Sequence, residues 1–221
     1  KVFTPFYRKG CLVNAPDPRK PLPLPENIHF LDKDGDSLKV KDLELLPNIS
    51  WDKKISQYWN IGEVAAHVQL SKFLEIGIKD YKEGRNYPAK SYVSKLSPYI
   101  HFGEISPNQI WYKLKQLDFN KNIDHFMSEL GWREFSYSQL YFNPDLRTKN
   151  LQPKFDRFPW KYDKPNLLAW QKGLTGVPIV DAGMRQLWQT GYIHNRVRMI
   201  VASFLVKNLL LHWHYGEQWF W

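Results

Sequence analysis

Cysteine is almost absent: Cys11 is the only one in 221 residues. A disulfide framework is therefore excluded, and a reducing setting such as the cytoplasm is the simplest compartment. Long hydrophobic runs are also lacking. The longest apolar stretch, residues 199–211, carries Lys207 and Asn208 and is too short to cross a membrane. No signal-peptide pattern opens the sequence. There is no glycine-rich phosphate loop, no dinucleotide-type glycine fingerprint and no serine in a nucleophile elbow, so hydrolase chemistry has no support. No metal-ligand spacing convinces. His212 and His214 read as two surface histidines, and Asp32, Asp34, Gly35 and Asp36 as a plain acidic turn, because no glutamate closes a calcium loop.

Positive charge and aromatic side chains are abundant. Formal net charge is +9 with a pI near 9.4, which favours an anionic partner. Aromatics reach 16%, with ten tryptophans, all from Trp51 onward. With 43% hydrophobic and 24% charged residues, the chain can bury a core without disulfides or metal. It opens on the strand-like Lys1-Val2-Phe3, has no initiator Met and stops on Trp219-Phe220-Trp221, which reads as an internal piece of a longer protein.

Seven of fifteen prolines fall in residues 1–50, five of them from Pro16 to Pro25, so this stretch is expected to be an extended linker. After Trp51 helical signals dominate. Ser106, Pro107 and Gln109 form an N-cap, a Pro at N1 and a capping-box partner, with Ile110, Leu114 and Leu117 on one face. Ile123, Phe126, Met127 and Leu130 begin a helix that Asn143-Pro144 ends. Pro165 and Gly173 bound another, and Pro178 and Gly191 the next, with Ile179, Met184, Leu187 and Trp188 inward. Val197, Val201, Phe204, Leu205, Leu209 and Trp213 form one long apolar stripe. The fold class is all-α with irregular connections.

Three sets of polar residues interrupt these helices. Glu129, Trp132, Arg133 and Ser136 share a helix face; the plainer alternative is a surface ion pair beside a core Trp. His194, Asn195, Arg196, Arg198 and Met199 follow the Gly191 break. Arginines are mildly unfavourable at a positive helix end, so a functional reason is expected there. Ser94-Lys95-Leu96-Ser97-Pro98 places hydroxyls and an ammonium ahead of a Pro-started helix, a weak phosphate signal taken alone.

Together these sets resemble one family. Tyr81-Lys82-Glu83-Gly84-Arg85-Asn86-Tyr87-Pro88 with Ser94-Lys95-Leu96-Ser97-Pro98-Tyr99 is similar to the opening of the flavin domain of photolyases and cryptochromes. Glu129-Leu130-Gly131-Trp132-Arg133-Glu134-Phe135 resembles its Glu-x-x-Trp-Arg-Glu-Phe helix. Gly176-Val177-Pro178-Ile179-Val180-Asp181-Ala182-Gly183-Met184-Arg185-Gln186-Leu187 and Thr190-Gly191-Tyr192-Ile193-His194-Asn195-Arg196-Val197-Arg198-Met199 resemble its longest blocks. Residues 1–8 resemble the exit from its antenna domain. Asn195-Arg196 followed by Met199 resembles the bacterial-type, class I, cyclobutane-pyrimidine-dimer photolyases.

The resemblance implies the end of an antenna domain and a linker over residues 1–50, then most of a helical FAD-binding domain over residues 51–221. It implies FAD, reduced in the active state, with an antenna chromophore in a segment before Lys1. It places Tyr81, Val93, Ser94, Lys95, Leu96, Ser97, Phe126, Arg133, Asn195 and Arg198 around FAD. Val93 stands where Thr or Ser is usual, and Phe126 where Trp is common. On the DNA side it places Arg85, Glu129, Trp132, Arg133, Ser136, His194, Asn195, Arg196 and Met199, with Trp132 as a stacking platform and Glu129 bonding the flipped dimer. Trp160 and Trp213 match members of an electron relay; as plain sequence they are equally core tryptophans. The implied activity is light-driven repair of pyrimidine dimers in UV-damaged DNA by a cytoplasmic monomer not bound to a membrane. The rival is a blue-light receptor without repair. The 221 residues alone are expected to be inactive.

Overall fold

The computed structural model describes residues 2–29 and 37–221; the acidic turn at Asp32, Asp34, Gly35 and Asp36 lies outside them. Among the described residues there is no named strand, and one isolated parallel bridge joins Lys161 to Leu211. The helices are α1 (Phe3–Pro5), α2 (Asp52–Ser56), α3 (Glu63–Glu75), α4 (Tyr81–Gly84), α5 (Ser97–His101), α6 (Pro107–Leu114), α7 (Lys121–Phe142), α8 (Lys164–Lys172), α9 (Pro178–Thr190), α10 (Asn195–Ser203) and α11 (Trp213–Phe220).

Local chemistry sets most of these boundaries. The Ser106 hydroxyl accepts from the Gln109 N–H at 3.1 Å, and the Gln109 side chain answers at the Ser106 N–H at 2.7 Å, so both orphan donors of α6 are met. The side-chain oxygens of Asn120 and Asp163 accept N–H groups in the first turns of α7 and α8. Gly173 and Gly191 end α8 and α9 at φ 64° and 68°, a conformation that glycine adopts without a Cβ penalty.

The beginning of the chain corrects the extended reading. α1 runs into a π-helix over Phe6–Asn14. Pro5 lies in the first turn, where its missing N–H costs nothing, and the dense prolines start only at Pro16. Residues 15–29 carry no regular element, and their first part straps α6. Asp17 pairs with Lys115 at 2.7 Å, and the Pro18 carbonyl accepts from the Tyr112 hydroxyl at 2.7 Å.

Two hydrophobic clusters form. The first gathers Leu70, Phe73, Tyr81, Leu96, Ile105, Ile110, Leu114, Ile123 and Phe126 from α3 to α7. The second gathers Trp170, Val180, Met184, Ile193, Val197, Val201, Leu205 and Leu211 from α8 to α11. The expected single stripe from Val197 to Trp213 is broken. After α10 the backbone widens to a π-helix over Phe204–Asn208, and Leu210 turns left-handed at φ 57° so that Leu211 can pair with Lys161. Ile179 and Trp188 are not inward. Both are exposed, and Trp188 stacks on Trp219 with ring centroids 5.5 Å apart.

Candidate functional site

A polar seam runs between the two clusters. Arg85 follows α4 and is only 8% exposed. A guanidinium at that depth needs counter-charge and acceptors. Its Nη1 donates to Glu129 Oε1 of α7 in a close ion pair and lies 3.1 Å from His125 Nε2, one turn earlier. Its Nη2 lies 3.5 Å from Asn195 Oδ1 at the start of α10. Burial works to lower the Arg85 pKa, but the Glu129 hydrogen bond and the charges of Tyr81 and Glu129 outweigh it and hold the group protonated. Two separate elements, α7 and α10, thus converge on one cation.

The neighbouring residue continues the seam. Asn86 Oδ1 accepts from Arg196 Nε at 2.8 Å, and Arg196 Nη1 stands 3.5 Å from Met199 Sδ. His194 caps α10, its Nδ1 accepting the Arg196 N–H at 3.2 Å. Burial first, and then the charges of Arg85 and Arg196, push its pKa below the usual histidine range, so the ring is neutral and Nε2 carries the proton. That Nε2 is buried and has no partner.

Other motif residues sit apart. Trp132 is 44% exposed and lies flat on Phe3 of α1, centroids 3.6 Å apart, with Phe135 at its edge. Arg133 turns along α7 to Glu134 and to the Tyr137 hydroxyl, both at 3.1 Å. The Ser136 hydroxyl bonds back to the Trp132 carbonyl. Tyr81 and Phe126 are core residues, their rings packed on each other at 5.0 Å, and burial raises the Tyr81 phenol well above its ordinary value. Arg198 stands over the ring of Phe220.

Residues 93–97 form a strap from the first cluster to the second. The Ser94 carbonyl accepts from Gln69 Nε2 at 2.7 Å, its hydroxyl accepts the Leu96 N–H, and Leu96 is buried. Lys95 holds φ 54°, strained for a residue with a Cβ, and carries its ammonium 5.6 Å from the Tyr192 ring. Val93 is half-buried and Ser97 is exposed. Hydroxyls, an ammonium and the orphaned His194 Nε2 are a donor set whose chemistry fits the phosphates and polar edges of a dinucleotide such as FAD.

At the far end, the Lys161–Leu211 bridge brings Trp160 towards Trp213. His212 touches both, 5.1 Å from the Trp160 ring and 5.3 Å from Trp213. Trp213 Nε1 donates to Asn150 Oδ1 at 2.6 Å. His212 and His214 are half-buried rather than surface residues, and His212 caps α11.

The chain matches the family described as the FAD binding domain of DNA photolyase over residues 126–221. It is 44% identical over 224 residues to the deoxyribodipyrimidine photo-lyase of Agrobacterium fabrum, an alignment covering the whole chain and 46% of that relative. The chain belongs to the photolyase/cryptochrome family. Its helices are those of the family's FAD-binding domain. The crystal structure of a bacterial class III photolyase from Agrobacterium tumefaciens superposes with a TM-score of 0.90 at 43% identity, covering 99% of this chain and 46% of that one. Cryptochrome-2 of Arabidopsis thaliana is 38% identical over 239 residues, all of this chain and 39% of its own length. The chain thus spans under half the length of these relatives.

Sequence reasoning missed His125, Asn86, Asn150 and His212. For His125 a signal existed: it stands four residues before Glu129, on the same helix face. Asn150 had none, because its loop meets Trp213 only in the folded chain.

Proposed function

We propose that the protein carrying this chain repairs cyclobutane pyrimidine dimers in DNA under blue light. The observation that carries the reading is the seam itself. Arg85, Glu129 and Asn195 come from three motifs and meet at one buried cation, beside Asn86, Arg196 and Met199. A flipped pyrimidine needs a carboxylate and amides to bond its polar edge, and cations for the flanking phosphates. Glu129 and Asn195 supply the first, Arg196 the second. Trp132 offers an exposed indole for stacking, with one face already held by Phe3.

Reduced FAD, when bound, supplies the photoexcited electron that opens the cyclobutane ring and is then returned. Tyr81, the strap of Val93, Ser94, Lys95, Leu96 and Ser97, and Phe126, Arg133, Asn195 and Arg198 are the candidates to hold it. The protein's own part is to orient: the Arg85 charge fixes the Glu129 carboxylate, and the buried, neutral His194 keeps a free N–H. Trp160 and Trp213 are our candidates for hole transfer, a reading supported by the contact each ring makes with His212. Net charge of +9 supplies non-specific attraction to the duplex.

The second reading is a flavin photoreceptor without repair, favoured by the likeness to a plant cryptochrome. The test uses the protein at its natural length with an oligonucleotide bearing one thymine dimer. Yellow protein that restores the thymines only under blue light supports repair. Yellow protein that leaves the dimer intact supports the receptor. Colourless protein would refute both.

A further inference from the structure

His125 belongs to none of the motifs that carry the family resemblance, yet it touches the centre of the seam. Its Nε2 is 3.1 Å from Arg85 Nη1 and 3.9 Å from Glu129 Oε1. A guanidinium has only donors, so the imidazole is the acceptor in this contact. Nε2 must then be bare, with the ring neutral and its proton on Nδ1. Arg85 Nη1 is thereby shared between a neutral nitrogen and a carboxylate on successive turns of α7. The Tyr81 ring packs against both partners, 5.9 Å from His125 and 5.2 Å from the guanidinium carbon.

We propose that His125 is a positioning residue for the Arg85–Glu129 pair: its neutral imidazole pins the guanidinium, and its protonation draws the Glu129 carboxylate away from the seam. The inference rests on the reading that this seam receives the flipped pyrimidine. A proton on Nε2 would point at the Arg85 N–H it now accepts. Two cations would stand 3.1 Å apart, with Glu129 the nearest anion to both. The carboxylate would then be divided between them.

The surroundings decide where this happens. Arg85 and Lys82 face His125 from the α4 segment, and Asp124 and Glu129 from α7. Asp124 is already held by Arg8 of the N-terminal π-helix at 2.6 and 2.8 Å, which blunts its pull on His125. Burial first, and then the Arg85 charge, set the His125 pKa below the usual histidine range. The switch therefore falls on the acid side of neutrality.

The experiment measures dark binding of the protein at its natural length to a duplex carrying one thymine dimer and to the same duplex undamaged. Fluorescence anisotropy is followed from pH 8 to 5 at constant ionic strength. The wild type should lose about tenfold in dimer affinity on the acid side, the worth of one charge-assisted hydrogen bond. Undamaged duplex should not show this step. His125→Gln keeps an acceptor for Arg85 and cannot titrate, so its profile should lose the step. His125→Phe has no acceptor, and should bind the dimer more weakly than His125→Gln at pH 7.5, at equal stability to urea. An acid step that persists unchanged in His125→Gln, or His125→Phe matching His125→Gln at pH 7.5, overturns the inference. Glu129→Gln is the control for the reading beneath it. If that variant still prefers the dimer as strongly as the wild type, the seam is not the lesion site, whatever His125 does.

Discussion

Gly131 stands in the middle of α7, where alanine would ordinarily gain about 1 kcal/mol of helix propensity. Here the sign should reverse. A Cβ at Gly131 would press into the Tyr7 ring, 2.6 Å from its Cε2, where ordinary contact begins near 3.4 Å. Tyr7 is 2% exposed and stacked against Phe3 at 5.5 Å, so it cannot give way without disturbing that stack. Its burial is deep enough to raise the phenol pKa to about 12. Overpacking of this kind costs about 1–3 kcal/mol. Gly131→Ala should thus destabilise by about 1 kcal/mol after the propensity gain is offset. In a Tyr7→Ala background the obstacle is gone, and the same change should stabilise by up to about 1 kcal/mol. Urea unfolding of the four proteins closes the double-mutant cycle. If Gly131→Ala stabilises the wild type as much as it stabilises Tyr7→Ala, the glycine is not there for Tyr7. The contact matters beyond stability. The same packing carries Phe3 onto Trp132, so a displaced Tyr7 should also free the indole face, seen as a change in tryptophan fluorescence that is absent in a Trp132→Phe background.

Trp160→Phe or Trp213→Phe, in the protein at its natural length, should slow photoreduction of oxidised flavin and spare repair by flavin reduced beforehand; equal loss of both would mark the two rings as structural. Arg196→Ala should weaken duplex binding and reduce the salt slope by about 1, whereas Arg85→Ala should leave the slope nearly unchanged because its charge is spent on Glu129. A matching fall in both slopes would put Arg85 on the phosphate surface. His125, His194 and His212 all have pKa values held below the usual range, chiefly by burial. Unfolded, they protonate near pH 6.5, so unfolding takes up protons below that value. Stability should be full above about pH 6.5 and fall as pH drops through the folded pKa values; a urea midpoint no lower at pH 5.5 than at 7.5 would contradict this.

Helix ends were legible where the signal is local. Ser106 with Gln109, and Gly173 and Gly191, act within a turn of themselves, so their neighbours in sequence suffice. The break at Leu210 was not legible, because its cause is Lys161, some fifty residues away. The opening π-helix was hidden for the opposite reason. Prolines from Pro16 onward coloured a stretch whose first fifteen residues obey different constraints. In the site, Glu129, Asn195 and Arg85 were legible as members of motifs, but not as partners of one another. Helical spacing predicted a shared face for Glu129, Trp132, Arg133 and Ser136. The structure divides that face, because Phe3 holds Trp132 and Tyr137 holds Arg133. The Asn195-Arg196-Met199 pattern was read as class I, while the photolyase structure with the 0.90 TM-score is described as class III.

Trp59 tests whether the seam couples the two clusters. Its ring meets Tyr99 of the first cluster at 6.3 Å and Tyr192, beside the second, at 6.0 Å. Its indole N–H donates to the Thr190 carbonyl at the end of α9 at 2.7 Å, and the next residue's carbonyl accepts from the Tyr99 hydroxyl at 2.8 Å. The segment therefore staples one cluster to the other. Trp59→Phe keeps most of the ring contact and loses one hydrogen bond, a cost of about 1 kcal/mol. Trp59→Ala removes both, and for a half-buried indole the loss is about 2 kcal/mol, below the figure for a fully buried one. What remains is Ile55 of α2 against Gly191 at the end of α9, and the polar contacts of Arg85 with Asn195, Asn86 with Arg196, and Lys95 over Tyr192. So few contacts couple the clusters weakly, and the alanine variant should cease to unfold in one step. Trp111 reports the first cluster and Trp170 the second. In Trp59→Ala, two transitions in urea and a lowered apparent m-value should replace the single coincident one. If fluorescence and helicity still fall together with the wild-type slope, the staple is not what joins the halves, and the coupling must be carried by the Arg85 network.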